Sequence, residues 1–409
     1  MVSEVDVVIV GAGAAGMMAG IWAGRNNPGK KIIIVDGAKK PGAKILVAGG
    51  GRCNVTHYKI DPDDYAGSSR NAIKKVLRRF DVNKTISFFQ EIGIELKREE
   101  TGKLFPVTDK AKTVLQALLS ELHKNNISLI HPLRVEKIIR CDKGFNLSSH
   151  SGDKFIASKV ILATGGKSLP KSGSDGHGYL LAKSLGHTLT PRIFPSLVPL
   201  TLPNDHFICS LSGVTIPASL EVQTANGKVL KSFTDSTLLT HFGLSGPSVL
   251  NISRYYKSHK MEQADSKLVI NFLPEFSFQK LQKYLLEQPH KSISSLLGDW
   301  LPDRLLKILC QEVNVSSSQQ IDQIPKQKRK AFIKIVTQCE LPVSGDRGFK
   351  YAEVTAGGVP LDQINLKTME SRKCHGLYLC GEICDVDGRI GGFNFQWAWS
   401  SGYTAGISV

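Results

Sequence analysis

The chain has no apolar run long enough to cross a bilayer. Its first such stretch, residues 5–10, falls far short of the ~20 residues a spanning helix needs, and Glu4 and Asp6 do not suit the basic leader of a secretion signal. Cysteine is sparse and without rhythm. Eight residues are scattered through 409, too few for a disulfide-stapled scaffold, and none stands in a Cys/His cluster of zinc spacing. Free thiols in a reducing, cytoplasmic compartment are expected, with no metal and no membrane partner. Aromatics supply 7% of the residues and nowhere form the stacking motif of an RNA-binding module. Acidic residues are outnumbered, 36 against 52 Lys+Arg, leaving a formal charge of +16. That balance favours anionic cofactors, anionic substrates and RNA as partners, the plain alternative being a lysine-rich surface.

What is present is ordered. Residues 5–10 read as a buried strand, followed by a glycine-rich turn, a helix from about residue 14 to 25, and a second apolar run at 32–35 ending on Asp36. Helical periodicity covers 70–95 (Val76, Phe80, Ile86, Phe89) and 110–125 (Val114, Leu118, Leu122), and residues 127–160 alternate as short strands. From Pro191 onward, Pro195, Pro199, Pro203 and Pro217 punctuate short apolar segments in a manner suited to strands. Residues 275–340 are helical in texture, and the chain after Leu341-Pro342 becomes glycine-rich again.

Three fingerprints point to one cofactor. Gly11, Gly13 and Gly16 form GxGxxG directly after the first strand, where they permit a sharp turn, backbone approach to a pyrophosphate, and close helix–strand packing. Asp36 ends the next strand, placed to accept hydrogen bonds from adenosine ribose hydroxyls and to repel a 2′-phosphate. The second is Ala163-Thr164-Gly165 at the end of another strand. The third is Gly381-Glu382 with Asp385 and Asp387, followed by Gly392 opening the last helix. A carboxylate there suits ribityl hydroxyls, and a helix N-terminus stabilises negative charge on a reduced isoalloxazine. A NAD-only domain has no use for the second and third, so FAD is expected. No second strand–GxGxxG–helix is present, and NAD(P)H is expected only as a transient reductant.

The runs Gly49-Gly50-Gly51-Arg52-Cys53-Asn54, Thr240-His241 through Pro247, Val354-Thr355 through Val359, and Gly392 through Asn394 and Gln396 are specific. Together they closely resemble the BaiN/RdsA-like family of NAD(P)/FAD-dependent oxidoreductases, which includes aminoacetone oxidases. The resemblance covers essentially the whole chain. It implies an α/β architecture: a glutathione-reductase-type Rossmann-like FAD domain from residues 1–190 and 345–409, a β-barrel-like insert at 191–272 and a helical insert at 273–344. It also implies reduction of a carbon–carbon double bond, in steroids or in uridine of large-subunit ribosomal RNA, or oxidation of a small amine. A flavin-containing RNA-binding or redox-sensing protein without turnover stays open beside these. Ala48, His57 and Asp235-Ser236-Thr237 depart from the family pattern.

The residues expected to hold FAD are those of the fingerprints together with Ala12, Ala14, Ala15, Lys44, Gly50, Gly51, Arg52, Asn54, Val135, Asn394 and Gln396. For the proton that accompanies hydride transfer, Cys53 is the first candidate, with Arg52 to bind an oxygen and depress the thiol pKa. His241 is the second, and His177 a weaker third. For each, a purely structural role is the competing reading. Cys380 and Cys384 read as buried small side chains rather than an active dithiol. Basic segments at Lys74, Lys75, Arg78 and Arg79, and at Lys326, Lys328, Arg329, Lys330 and Lys334, are where a phosphate backbone would dock.

Overall fold

Runs of uninterrupted aliphatic residues build the first sheet. The computed structural model describes residues 2–409. In it β1 (Val2–Val10) lies between the strand Lys154–Leu162 and β2 (Ile32–Val35), all parallel, with Leu377–Leu379 and Ser128–Ile130 flanking them. Ile32–Val35 and Leu377–Leu379 are buried at every position, as expected of a parallel sheet covered on both faces. Val10 stands beside both Leu162 and Val35, and Leu162 beside Leu379. Four strands therefore end level, and the loops that follow them share one edge, where ligands bind in such sheets.

Around this sheet lie α1 (Ala14–Asn26), α2 (Ala43–Gly51), α3 (Arg70–Leu77), α4 (Val82–Glu91), α5 (Ala111–Lys124) and α6 (His177–Ser184). The periodicity of 70–95 resolves into two helices because the Asp81 side chain caps the second, accepting from the Lys84 amide at 3.0 Å. The final helix, which follows all others in the chain, runs over Phe393–Gly406 and packs on α1. The crossing is close: a Cβ on Gly402 would lie 2.5 Å from the Ala15 carbonyl oxygen, and one on Gly406 would lie 2.4 Å from that of Ala19.

The chain divides into two compact units, one of residues up to Pro195 together with Ala352–Val409, the other Ser196–Tyr351. The second unit has its own core. Its antiparallel sheet runs in the order Cys339–Leu341, Lys267–Asn271, Thr215–Gln223, Val229–Thr240, Gly243–Ser245, Leu200–Thr201, Gly345–Asp346. The two edge strands are separated only by Pro342, Val343 and Ser344, so their ends stay within about 14 Å and the sheet curls. Between strands sits α7 (Pro247–Glu262), a helix inside the stretch 191–272 expected to be β-barrel-like. Pro247 occupies its first position, where a missing N–H costs nothing. Then come α8 (Phe278–Leu286), α9 (Ile293–Leu297), α10 (Asp303–Gln311) and α11 (Lys326–Thr337). Leu281, Leu305 and Phe332 from these helices join Leu220, Val222 and Leu268 from the sheet in a single core. Among the described residues no helix is long and apolar enough to cross a membrane.

Candidate active site

The turn after β1 is set by steric exclusion. Gly11 has φ +109, and a Cβ there would meet the Ala163 carbonyl oxygen at 2.4 Å. A Cβ on Gly16 would lie 1.9 Å from the Gly11 carbonyl oxygen. These two glycines serve internal packing. Gly13 differs: nothing lies within 4 Å of its Cβ direction, and as N-cap of α1 it leaves the helix without a side-chain cap. Uncapped amides thus face open ground where a helix N-terminus favours an anion. Asp36 frames the turn, its carboxylate accepting from the Ala12 amide at 2.6 Å and the Ala38 amide at 2.7 Å. Ala14 and Ala15 open the helix itself.

The triple glycine forms a second backbone surface. α2 breaks at Ala48, which is extended, and Gly49 and Gly50 are left-handed. Nothing lies within 4 Å of a Cβ on Gly50, and for Gly51 only the Leu46 carbonyl oxygen at 3.8 Å. The loop then buries Cys53, which is 0% exposed. Burial pushes the Cys53 thiol up to about 12. The expectation that Arg52 would depress it is overturned, because the guanidinium turns away to Glu99 at 2.6 Å and stacks over the Phe105 ring at 4.0 Å.

Glu382 ties the loops together. Its carboxylate accepts from Lys44 Nζ at 2.6 Å and from the Thr355 amide at 2.9 Å, and Lys44 also donates to Ser174 Oγ at 3.1 Å. Thr355 Oγ1 accepts from the amides of Lys167 and Ser168 just beyond Gly165 and Gly166. The start of α2, the turn after Leu162 and the turn after Leu379 are thereby fixed to one another. Ser174 and Thr355 were not expected as site residues, although both lie in glycine-rich motifs visible in the sequence. Glu353 was also passed over. Its side chain is exposed, yet desolvation by surrounding protein raises its carboxyl above the ordinary range, opposed by Lys103. Its signal was its place directly before the Val354-Thr355 run.

Other expected ligands are committed to the protein. Gln396 is a correction: its Oε1 accepts from Thr56 Oγ1 at 2.6 Å and Thr85 Oγ1 at 3.0 Å, while its Nε2 donates to the Phe80 carbonyl and Ser400 Oγ. No hydrogen-bonding capacity is left for a cofactor. Asn394 is a second, its amide closing a reciprocal pair with the Gly388 backbone at 2.8 and 2.9 Å. The Gly381 amide donates to Ser401 Oγ and its carbonyl accepts from Trp397 Nε1. Asp385 accepts from Ser68 Oγ at 3.2 Å, Asp387 is buried, and Gly392 caps the last helix against Thr56. The Val135 carbonyl accepts from His177 Nε2 at 3.0 Å, a structural use of that histidine. Cys380 and Cys384 are free and wholly buried. His241 is exposed in the second unit, beyond the strand Val229–Thr240.

The residues fit a flavin dinucleotide. Open ground lies at Gly13, Gly50 and Gly51, and among the described residues Asn54 Oδ1 and Thr164 Oγ1 are buried without a hydrogen-bond partner. Buried polar atoms of this kind call for a ligand or water.

Comparison with known proteins agrees with this chemistry. The family described as HI0933-like protein Rossmann domain matches residues 5–408. A ribosomal RNA dihydrouridine synthase of Escherichia coli K12 is 36% identical over 404 residues, covering 97% of this chain and 96% of that protein. A 3-dehydro-bile acid delta(4,6)-reductase of Clostridium scindens is 34% identical over 402 residues, 97% of each chain. Among solved structures, Escherichia coli quinol fumarate reductase FrdA matches with a TM-score of 0.51 at 15% identity, over 100% of this chain and 70% of that one. That last likeness concerns the fold alone.

Proposed function

The chain belongs to the HI0933-like Rossmann family of FAD-dependent oxidoreductases, and from that membership we propose that it reduces a carbon–carbon double bond. Uridine in large-subunit ribosomal RNA is the favoured substrate, yielding dihydrouridine, with NAD(P)H as electron donor. The supporting relative is the ribosomal RNA dihydrouridine synthase, similar from end to end. The observation that carries the reading is the Glu382 junction, where Lys44 at the start of α2, Ser174 and Thr355 tie the two strand-end turns together.

We assign the amides at the start of α1 to the pyrophosphate, Asp36 to the adenosine ribose, and Thr164, Gly50, Gly51 and Asn54 to the flavin half. When bound, FAD supplies the hydride for one carbon of the double bond. The chain must deliver a proton to the neighbouring carbon and keep bulk water out. For the proton we keep His241 as the candidate by its residue type alone, an exposed imidazole on the second unit. Cys53 has no open path to a substrate. All eight cysteines are free, which supports a reducing, cytoplasmic setting.

The test is anaerobic. NADPH or NADH should bleach the yellow protein, and unmodified ribosomal RNA should then restore the colour with dihydrouridine formed. A reduced protein reoxidised by a steroid enone but not by RNA would replace RNA with the second reading, which the bile acid reductase relative supports. Flavin that neither nucleotide bleaches, with peroxide released from an amine in air, would sink the reductase reading altogether.

A further inference from the structure

The second unit carries a cluster of rings and cations that the reduction itself does not use. The Arg347 guanidinium carbon lies 4.3 Å from the Phe242 ring centre and 4.1 Å from that of Tyr351, so two rings share one cation. Lys350 Nζ lies 5.5 Å from the Tyr351 ring centre. None of these side chains belongs to the unit's hydrophobic core. Tyr351 is 45% exposed, a large aromatic surface left to solvent. Arg347 is anchored by its own amide, which donates to the Pro199 carbonyl at 3.1 Å. With its main chain held there and its guanidinium against two rings, the planar cation is partly ordered before any ligand arrives, which lowers the ordering cost of binding.

The charge on this surface is uncompensated. Asp346, the acidic residue of the 345–351 segment, is committed to Lys257 at 2.5 Å and to the Gly348 amide at 2.7 Å. Among the described residues neither Arg347 nor Lys350 forms an ion pair with a carboxylate. A hydrogen bond from Arg347, with the nearby charge of Lys350, holds the Tyr351 hydroxyl below its ordinary range. A flat face beside two cations that no carboxylate neutralises is complementary to a flat base beside a phosphate.

We propose that Arg347, Lys350 and Tyr351 form a docking surface for one unpaired nucleotide of a single-stranded RNA. The base stacks on the open face of Tyr351, and the adjoining phosphate meets the two cations. The proposal rests on the RNA reading of the function given above and adds where the strand is held. A rigid aromatic face accepts any base, so the surface grips the strand without reading its sequence.

The experiment measures fluorescence anisotropy of a labelled single-stranded RNA of about 20 nucleotides against the full-length, FAD-loaded protein. Tyr351→Ala should weaken binding about tenfold and Tyr351→Phe should restore it, since the ring and not the hydroxyl does the stacking. Arg347→Ala and Lys350→Ala should each reduce the salt dependence of binding by about one released counterion. All variants should keep the wild-type rate of flavin reduction by NADPH. Wild-type protein that binds RNA, with variants binding equally well, would overturn this surface and leave the RNA reading standing. Wild-type protein that binds no RNA would remove both. A raised KM for NADPH in Arg347→Ala, with RNA binding unchanged, would also overturn it and reassign the cluster to the dinucleotide.

Discussion

Gly11 and Gly13 stand two residues apart, yet a methyl group would meet different surroundings at each. At Gly11 it is forced into the Ala163 carbonyl from a left-handed backbone, while at Gly13 it enters open space. Gly11→Ala is therefore expected to destabilise the fold by about 2 kcal/mol or more. Gly13→Ala should melt like the wild-type apoprotein but retain little FAD; full flavin in that variant would misplace the pyrophosphate. At the same scale, His241→Asn should slow substrate reduction about a hundredfold and spare reduction of the flavin by NAD(P)H. Equal turnover would pass proton donation to Glu353. The sharp turn at Gly11 was legible because local spacing alone dictates it. Gln396 and Asn394 were misread because their hydrogen-bond partners, Thr56, Thr85, Phe80 and Gly388, lie in other loops or depend on chain folding.

At the scale of elements, the Lys44–Glu382 pair holds α2 to the turn after Leu377–Leu379. Both partners are largely covered, with side-chain exposures of 26% and 17%, so Lys44→Ala leaves a half-buried carboxylate short of a donor. A loss of about 1–2 kcal/mol is expected, with faster release of FAD, both read by thermal melts with and without added cofactor. A second clip joins the segment after α6 to the hairpin of Ile364–Asn365 and Glu370–Ser371. His187 Nδ1 donates to Gln363 Oε1 at 3.1 Å, and Ser371 Oγ donates to Nε2 at 2.8 Å. Burial, helped by the nearby charge of Lys373, lowers the His187 pKa from its ordinary 6.5. The unfolded chain therefore takes up the second ring proton first as pH falls. His187 contributes stability above 6.5 that is lost as pH drops toward its folded value. The melting temperature of His187→Gln should fall less than that of wild type on going from about pH 7 to pH 5; parallel curves would show that the site is open to protonation. The strands were legible from their buried aliphatic runs, but α7 was not, because only its packing against the sheet distinguishes it from another strand.

For the whole molecule, the two-unit division makes a direct demand. Residues 196–351 form one continuous stretch with their own core, and a separate fragment of that span should melt cooperatively without binding FAD. A fragment that shows no cooperative transition would mean that its core depends on the rest of the chain. Unlike this span, the first unit is built from both chain ends. The order of the three fingerprints, near residues 11, 164 and 382, pointed to a unit built from both ends; the separate inserts expected at 191–272 and 273–344 are instead one unit, because their strands and helices share a core.

The same split governs how the protein is made. The strand Leu377–Leu379 pairs with Lys154–Leu162, and the helix Phe393–Gly406 sets Gly402 and Gly406 against Ala15 and Ala19 of α1. A ribosome adds about 5–20 residues per second, amino end first. On the order of ten seconds or more therefore passes between release of the first glycine loop and arrival of the segment that seals it. During that interval a nascent chain has an unpaired sheet edge and a bare apolar helix face, a natural client for chaperones. Translation that stops before Gly381 yields a polypeptide with the first glycine turn intact and the helix that packs on α1 missing.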